Sequence, residues 1–216
     1  MVTVFVDYQN AHLSAHNHWC PPGAQAHECL VDPLKLAERV ISKRAPGGIL
    51  KQVRVYRGRP DPRHQPDAAR FSDRATAQWE KDTRVSVFRR PLRYPEGWGT
   101  DATAEPAREK GIDVQIAVDM VRMAIASEYE VGILFSRDGD LLPALELIFA
   151  LGGPHTEVAT WEGKSRLRLQ GAKLFCHELD QQDFVDVRDP RNYDWQAPVY
   201  VPRPRGETAI PVTPEV

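Results

Sequence analysis

Short apolar runs that stop abruptly at acidic or polar residues alternate along this chain with longer amphipathic stretches, the pattern of an α/β protein. Thr3 to Val6 is a β-branched and aromatic run ending at Asp7-Tyr8-Gln9-Asn10, as a buried strand ends in a polar loop. The Pro, Gly, His and Cys content of Asn17 to Asp32 predicts a loop. Asp32 then caps a helix with Pro33 at its first position, running to about Arg44 and stopped by Ala45-Pro46-Gly47-Gly48. Leu50 to Tyr56 reads as a second strand followed by a turn over Arg57 to Pro62. Pro66 to Lys81 reads as a long helix and Val85 to Phe88 as a third strand. Pro91 to Glu109 has little periodicity and reads as a long loop.

Gly111 to Ser127 carries Ile112, Ile116, Met120, Met123 and Ala124 on or near one helical stripe. Val131 to Phe135 is a nearly pure apolar strand ending in Ser136-Arg137-Asp138-Gly139-Asp140, with a helix from about Leu141 to Leu151 behind it. Glu157 to Thr160 and Leu174 to Cys176 complete the strands, with a short helix expected near Ser165 to Gln170. Alternating strands and helices with short connections predict a three-layer α/β/α domain around a mainly parallel sheet, because parallel neighbours need crossover helices. Residues 1–180 form that domain in this reading. Residues 181–216 form a Pro-rich tail, most evidently from Asp189 onward.

Composition narrows the function. With 216 residues, 42% of them hydrophobic, the chain can bury one core of ordinary size. Lys plus Arg total 28 against 30 Asp plus Glu, a net charge of -2, so a uniformly basic coat for nucleic acid is excluded. No run approaches the roughly 18 to 20 apolar residues of a membrane helix, and the amino terminus has no signal-peptide pattern. A cytoplasmic protein without a membrane partner is expected. Three cysteines suggest no disulfide framework, and a reducing compartment fits.

Asp7 and Asp138 each follow an apolar strand, and parallel strands end at one edge, so two carboxylates distant in sequence should converge there, where ligands of such sheets bind. Asp113, in the first turn of a helix, interrupts the apolar Ile112-Asp113-Val114 and can join them. An inward-facing acid is costly unless paired or bound to a cation. Clustered carboxylates raise one another's pKa, and Mg²⁺ or Mn²⁺ suits oxygen ligands and can activate a phosphodiester for hydrolysis.

The strand leading to Asp7-x-x-Asn10, Lys110-Gly111-Ile112-Asp113 leading to Asp119, and Phe135-Ser136-Arg137-Asp138-Gly139-Asp140 with Leu142-Pro143 behind it resemble the NYN domain family of PIN-like nucleases, from about Thr3 to about Thr160. That resemblance implies a PIN-like fold, an acidic metal site, and endonucleolytic cleavage of RNA leaving a 5′-phosphate and a 3′-hydroxyl. It also suggests a homodimer. Asp7, Asp113 and Asp138 match the family's catalytic metal-binding acids. Asn10 matches a first-loop Asn that would orient Asp7 or a water on the metal, and Ser136 and Asp140 match the hydroxyl and second acid of the last motif, as supporting groups or ligands. Asp119 also matches a family acid, but six residues of helix place it about 120° from Asp113, so it should support the site instead of coordinating. The chain departs from the family with Leu141 where an aromatic residue often follows the last acid, and with the insert-like loop from Pro91 to Arg108.

Between Lys51 and Arg93 there are 12 Lys or Arg against 5 Asp or Glu. Arg57, Arg59, Arg89, Arg90 and Arg93 follow strand ends and, with Lys110, are the candidate contacts for single-stranded or looped RNA; Tyr94 and Trp98 are candidates for base stacking. His16, His18, Cys20, His27 and Cys29 crowd one loop, but Cys20 and Cys29 lack the spacing of a short zinc knuckle. Three other functions remain open at this level: a non-catalytic RNA-binding module, a DNA nuclease, and a phosphatase or phospho-acceptor. The last is disfavoured because Gln9 stands where a dehalogenase-type phosphatase needs its second Asp.

Overall fold

A computed structural model describes residues 1–99 and 105–193. Six strands, β1 (Val2–Asp7), β2 (Leu50–Arg59), β3 (Val85–Pro91), β4 (Val131–Phe135), β5 (His155–Trp161) and β6 (Phe175–Leu179), form one sheet in the order β3-β2-β1-β4-β5-β6. Every pairing in it is parallel. The central strand β1 is buried along its whole length, as a strand covered on both faces requires. Its neighbours are β2 on one side and β4 on the other, so the direction of winding reverses between β1 and β4. That reversal opens a crevice at the carboxyl ends of the two strands.

Six α-helices among the described residues cover the sheet: α1 (Tyr8–Trp19), α2 (Pro33–Ser42), α3 (Pro66–Trp79), α4 (Ile112–Ile125), α5 (Leu142–Ala150) and α6 (Gln181–Val187). One core cluster joins residues of α1, α2, α3 and α6 to Val4, Val6 and Val55; the other joins α4 and α5 to Phe5, Leu134 and Val158. These are the two faces of one sheet, since alternate residues of a strand point to opposite sides. Asp32 caps α2 as expected, accepting from the N–H groups of Leu34 and Lys35 at 3.0 and 3.1 Å, with Pro33 in the first turn.

Several local expectations change. No polar loop follows β1: α1 begins at Tyr8 and extends to Trp19, because Asp7 itself is its N-cap. β2 and β3 continue to Arg59 and Pro91, carried past their apolar cores by parallel pairing of Arg57 with Arg89 and Arg59 with Pro91. The helix expected near Ser165 does not form; Ser165–Leu169 has no regular structure.

Residues 181–193, assigned by composition to the tail, carry α6 and a buried anchor. Asp183 is fully buried and pairs with Arg39 and Lys43 of α2. Asp189 accepts from Trp79 Nε1 at 2.9 Å and from the Tyr193 hydroxyl at 2.6 Å. The remainder of the expected tail, 194–216, lies outside the described residues, as do residues 100–104 of the long loop.

Cys20 and Cys29 form a disulfide, contrary to the expectation, from three cysteines, of no disulfide framework and a reducing compartment. The neighbouring histidines bond the same loop: His12 Nε2 lies 2.8 Å from the Ala26 carbonyl and His16 Nε2 lies 3.0 Å from that of Ala24. Cys20, Cys29 and His16 are thus engaged in tying the end of α1 to the segment that follows it. No helix among the described residues is long and apolar enough to cross a membrane.

Candidate active site

Asp7 ends β1 and starts α1. One carboxylate oxygen accepts the backbone N–H of Asn10 at 3.1 Å; the other accepts the Ser136 hydroxyl at 2.9 Å. Ser136 follows β4, the next strand across the crevice, and its oxygen also accepts the N–H of Asp138 at 3.1 Å. One buried hydroxyl therefore links the two acidic strand ends and sets their spacing. Asp138 in turn accepts the N–H of Asp140 at 3.0 Å and caps a short 3-10 turn.

Asp113 lies in the first turn of α4, behind the left-handed Gly111. These acids, with Asn10, Arg137, Lys164 and Glu109, line one cleft of about 490 Å³. Burial is the dominant influence on Asp7: it pushes the carboxyl up to about 6, against the two hydrogen bonds, and the charges of Asp138 and Asp113 push the same way. No cation is paired with it among the described residues. A buried carboxylate without a counter-charge is the arrangement that an added cation relieves.

The donors are all oxygen, which suits a hard divalent ion. Among the described residues, however, no three such side chains close into a ready-made metal cage. Mg²⁺ commonly binds through one or two carboxylates and keeps several waters or takes phosphate oxygens, so an open half-site of this type is compatible with it.

A family model of the NYN domain matches residues 1–172. The chain belongs to the NYN domain family. No curated protein matches it. A crystal structure of a protein of unknown function from Vibrio parahaemolyticus is similar in fold, with a TM-score of 0.52 and 15% identity, covering 87% of this chain and 94% of that one.

Within this NYN domain the acids of the sequence motifs separate into two groups. Asp7, Asp113 and Asp138 share the cleft. Asp119, about one and two-thirds turns further along α4, points to β2, where it accepts from Arg54 Nη2 at 2.8 Å and the Tyr56 hydroxyl at 2.9 Å. Arg54 lies over the Phe88 ring at 4.0 Å. Asp119 thus fastens α4 to the sheet. Asp140 is exposed and contributes its N–H to Asp138. Asn10 offers Asp7 its backbone, and its side chain lines the cleft.

The NYN domain also has a fourth carboxylate that sequence reasoning did not select. Glu109, closing the long loop, accepts the N–H of Gly58. Burial pushes its carboxyl up to about 7, and nearby Asp7 adds to the effect. The available signal was position: Glu109 directly precedes Lys110-Gly111-Ile112-Asp113. A Cβ on Gly58 would stand 2.3 Å from Leu92 Cδ2 and 2.8 Å from Glu109 Cγ. Gly58→Ala is therefore expected to push Glu109 and the loop away from the sheet, lowering stability by about 1–3 kcal/mol, as measured by thermal unfolding.

The candidate RNA contacts divide similarly. Arg59 and Arg89 both bind Asp73 of α3, Arg59 through two bonds of 2.8 and 2.7 Å. Arg57 stacks over Tyr8 and Trp79, 4.8 and 5.4 Å from their ring centres. Tyr94 donates to Gln65 and stacks on His64, and Trp98 packs edge-on against Tyr94. Arg90, Arg93 and Lys110 are exposed and line a second cleft beside Gly111.

Proposed function

We propose that this NYN domain is a divalent-metal-dependent ribonuclease that hydrolyses RNA phosphodiester bonds at the Asp7, Asp113 and Asp138 cleft. The observation carrying this reading is the placement of Asp7 and Asp138 on the two strands that flank the reversal of the sheet, joined by Ser136 and, among the described residues, in no ion pair with a cation. The family is generally nuclease-related, and its nucleases are typically metal-dependent. Asp7, Asp138 and Asp113 would hold Mg²⁺ or Mn²⁺, which when bound supplies charge neutralisation and Lewis-acid polarisation of the scissile phosphodiester.

The chain's own residues supply the positioning. Ser136 holds the Asp7 and Asp138 loops in register, and the Asn10 N–H fixes the second Asp7 oxygen. Holding a reacting phosphodiester against fixed groups lowers the entropic part of the barrier. Glu109, with its carboxyl raised toward neutrality, is suited to exchanging a proton with water or a leaving oxygen on the same cleft wall.

End-labelled RNA incubated with the purified chain is expected to be cut in Mn²⁺ or Mg²⁺ and left intact in EDTA, and Asp138→Asn is expected to be inactive. Cleavage that persists in EDTA or in the variant would refute the assignment. RNA binding by a folded protein that never cuts would favour a non-catalytic binding module.

A further inference from the structure

The parallel sheet brings five cations without a carboxylate partner, among the described residues, to the edge that carries the acids. Arg90 is the penultimate residue of β3 and Arg93 follows the strand; Lys110 leads into α4; Arg137 follows β4, and Lys164 follows β5. Their neighbours in sequence and space are committed: Arg54 to Asp119, Arg59 and Arg89 to Asp73, Arg63 to Asp61, and Arg84 to Asp82. Arg90, Arg93 and Lys110 line one cleft, and Arg137 and Lys164 line the acidic one. Gly111 is part of both walls, so the clefts adjoin.

We propose that one RNA strand lies across the carboxyl edge of the sheet, its phosphates held by Arg90, Arg93 and Lys110 on one side of the acids and by Arg137 and Lys164 on the other. This rests on the nuclease reading, in which the phosphodiester between those flanks lies over Asp7 and Asp138. β3 and β5 are four strand spacings apart in the sheet order, roughly 19 Å at about 4.8 Å per strand. An extended strand covers that distance with about three or four nucleotides.

Two physical considerations favour a single strand anchored on both sides. The carboxylates repel a phosphate, so binding energy must come from its neighbours, and cations on both flanks press the middle phosphodiester toward the acids. The acidic cleft, about 490 Å³, has space for about one nucleotide at a time, whereas a rigid duplex would bridge its mouth. Charge that is local and not global also agrees with the net charge of -2.

The test uses the full chain carrying Asp138→Asn, with 5′-labelled oligouridylates of two to eight nucleotides and a blunt RNA duplex, in Mg²⁺ at several salt concentrations. Fluorescence anisotropy is expected to show affinity rising with length to about four or five nucleotides. Arg90→Gln/Arg93→Gln/Lys110→Gln and Arg137→Gln/Lys164→Gln should each weaken binding about tenfold or more, and each should flatten the salt dependence by about 0.7 for every phosphate that is no longer neutralised. Arg122→Gln, at the far end of α4 and paired with Glu128, should bind as the parent does. Circular dichroism checks that each variant folds.

Unchanged binding in either set, or a duplex bound more tightly than the single strands, overturns the proposal. The same substitutions in a chain with Asp138 restored separate it from the nuclease reading. Cleavage in Mn²⁺ that is indifferent to both sets removes the RNA track and leaves the nuclease. The expected binding pattern in a chain that never cuts retains the track and removes the nuclease.

Discussion

Asp7→Asn is expected to cut metal-dependent cleavage sharply and, at the same time, to make the metal-free protein more stable. Burial is the main reason the Asp7 carboxyl is pushed from 3.8 to about 6. An acid whose folded pKa is raised favours folding in its protonated form. That contribution is fully present below pH about 4 and is lost as pH rises through about 6. At pH 7 the ionised carboxylate therefore costs the metal-free fold up to about 3 kcal/mol, at 1.36 kcal/mol per unit.

An amide of the same shape can still accept the Asn10 N–H and meet Ser136, and it carries no charge. Thermal unfolding in EDTA should place Asp7→Asn above wild type at pH 7.5, with the gap closing toward pH 4.5. Added Mn²⁺ should raise wild type and leave the variant unmoved, since only binding to the folded state stabilises it. Cleavage should fall by roughly a hundred- to a thousandfold, as for loss of one strong electrostatic contact. A variant less stable than wild type in EDTA would mean that Asp7 is a structural acid.

The second large effect concerns the helix that carries both Asp113 and Asp119. Asp119→Ala leaves Arg54, whose side chain is 10% exposed, without its carboxylate. Breaking a buried pair on one side costs about 3–5 kcal/mol, and the Tyr56 hydroxyl loses an acceptor as well. Urea unfolding should give a free energy lower by that amount, seen as a lower midpoint with little change in slope. Asp113→Ala, six residues earlier, should leave the midpoint nearly where it was and remove the Mn²⁺ response. Equal losses from the two substitutions would contradict the separation of roles drawn from the hydrogen bonds.

Periodicity and strand-end chemistry were enough to read most of the fold. Val131–Phe135 is apolar with no competing pattern, and its limits coincide with β4. Asp32-Pro33 marks the start of α2 because a capping carboxylate followed by proline has few other local uses. The weakest readings were those in which a local signal met a tertiary partner. Pairing prolonged β2 and β3 beyond their apolar residues. Asp183, an unremarkable acid in sequence, is buried because Arg39 and Lys43 lie opposite it.

By itself the sequence determined the alternation of strands and helices, the family, and the three acids that belong at one edge, because each depends on residues adjacent in the chain. Tertiary structure decided what those residues meet. It put β1 between β2 and β4, made Ser136 the link between Asp7 and Asp138, added Glu109 to the cleft, and assigned Asp119 to Arg54. It also divided the arginines into those bound to Asp73 and those open to solvent. The reason is physical: desolvation and pairing depend on groups tens of residues away, and no local pattern records which charge will face which.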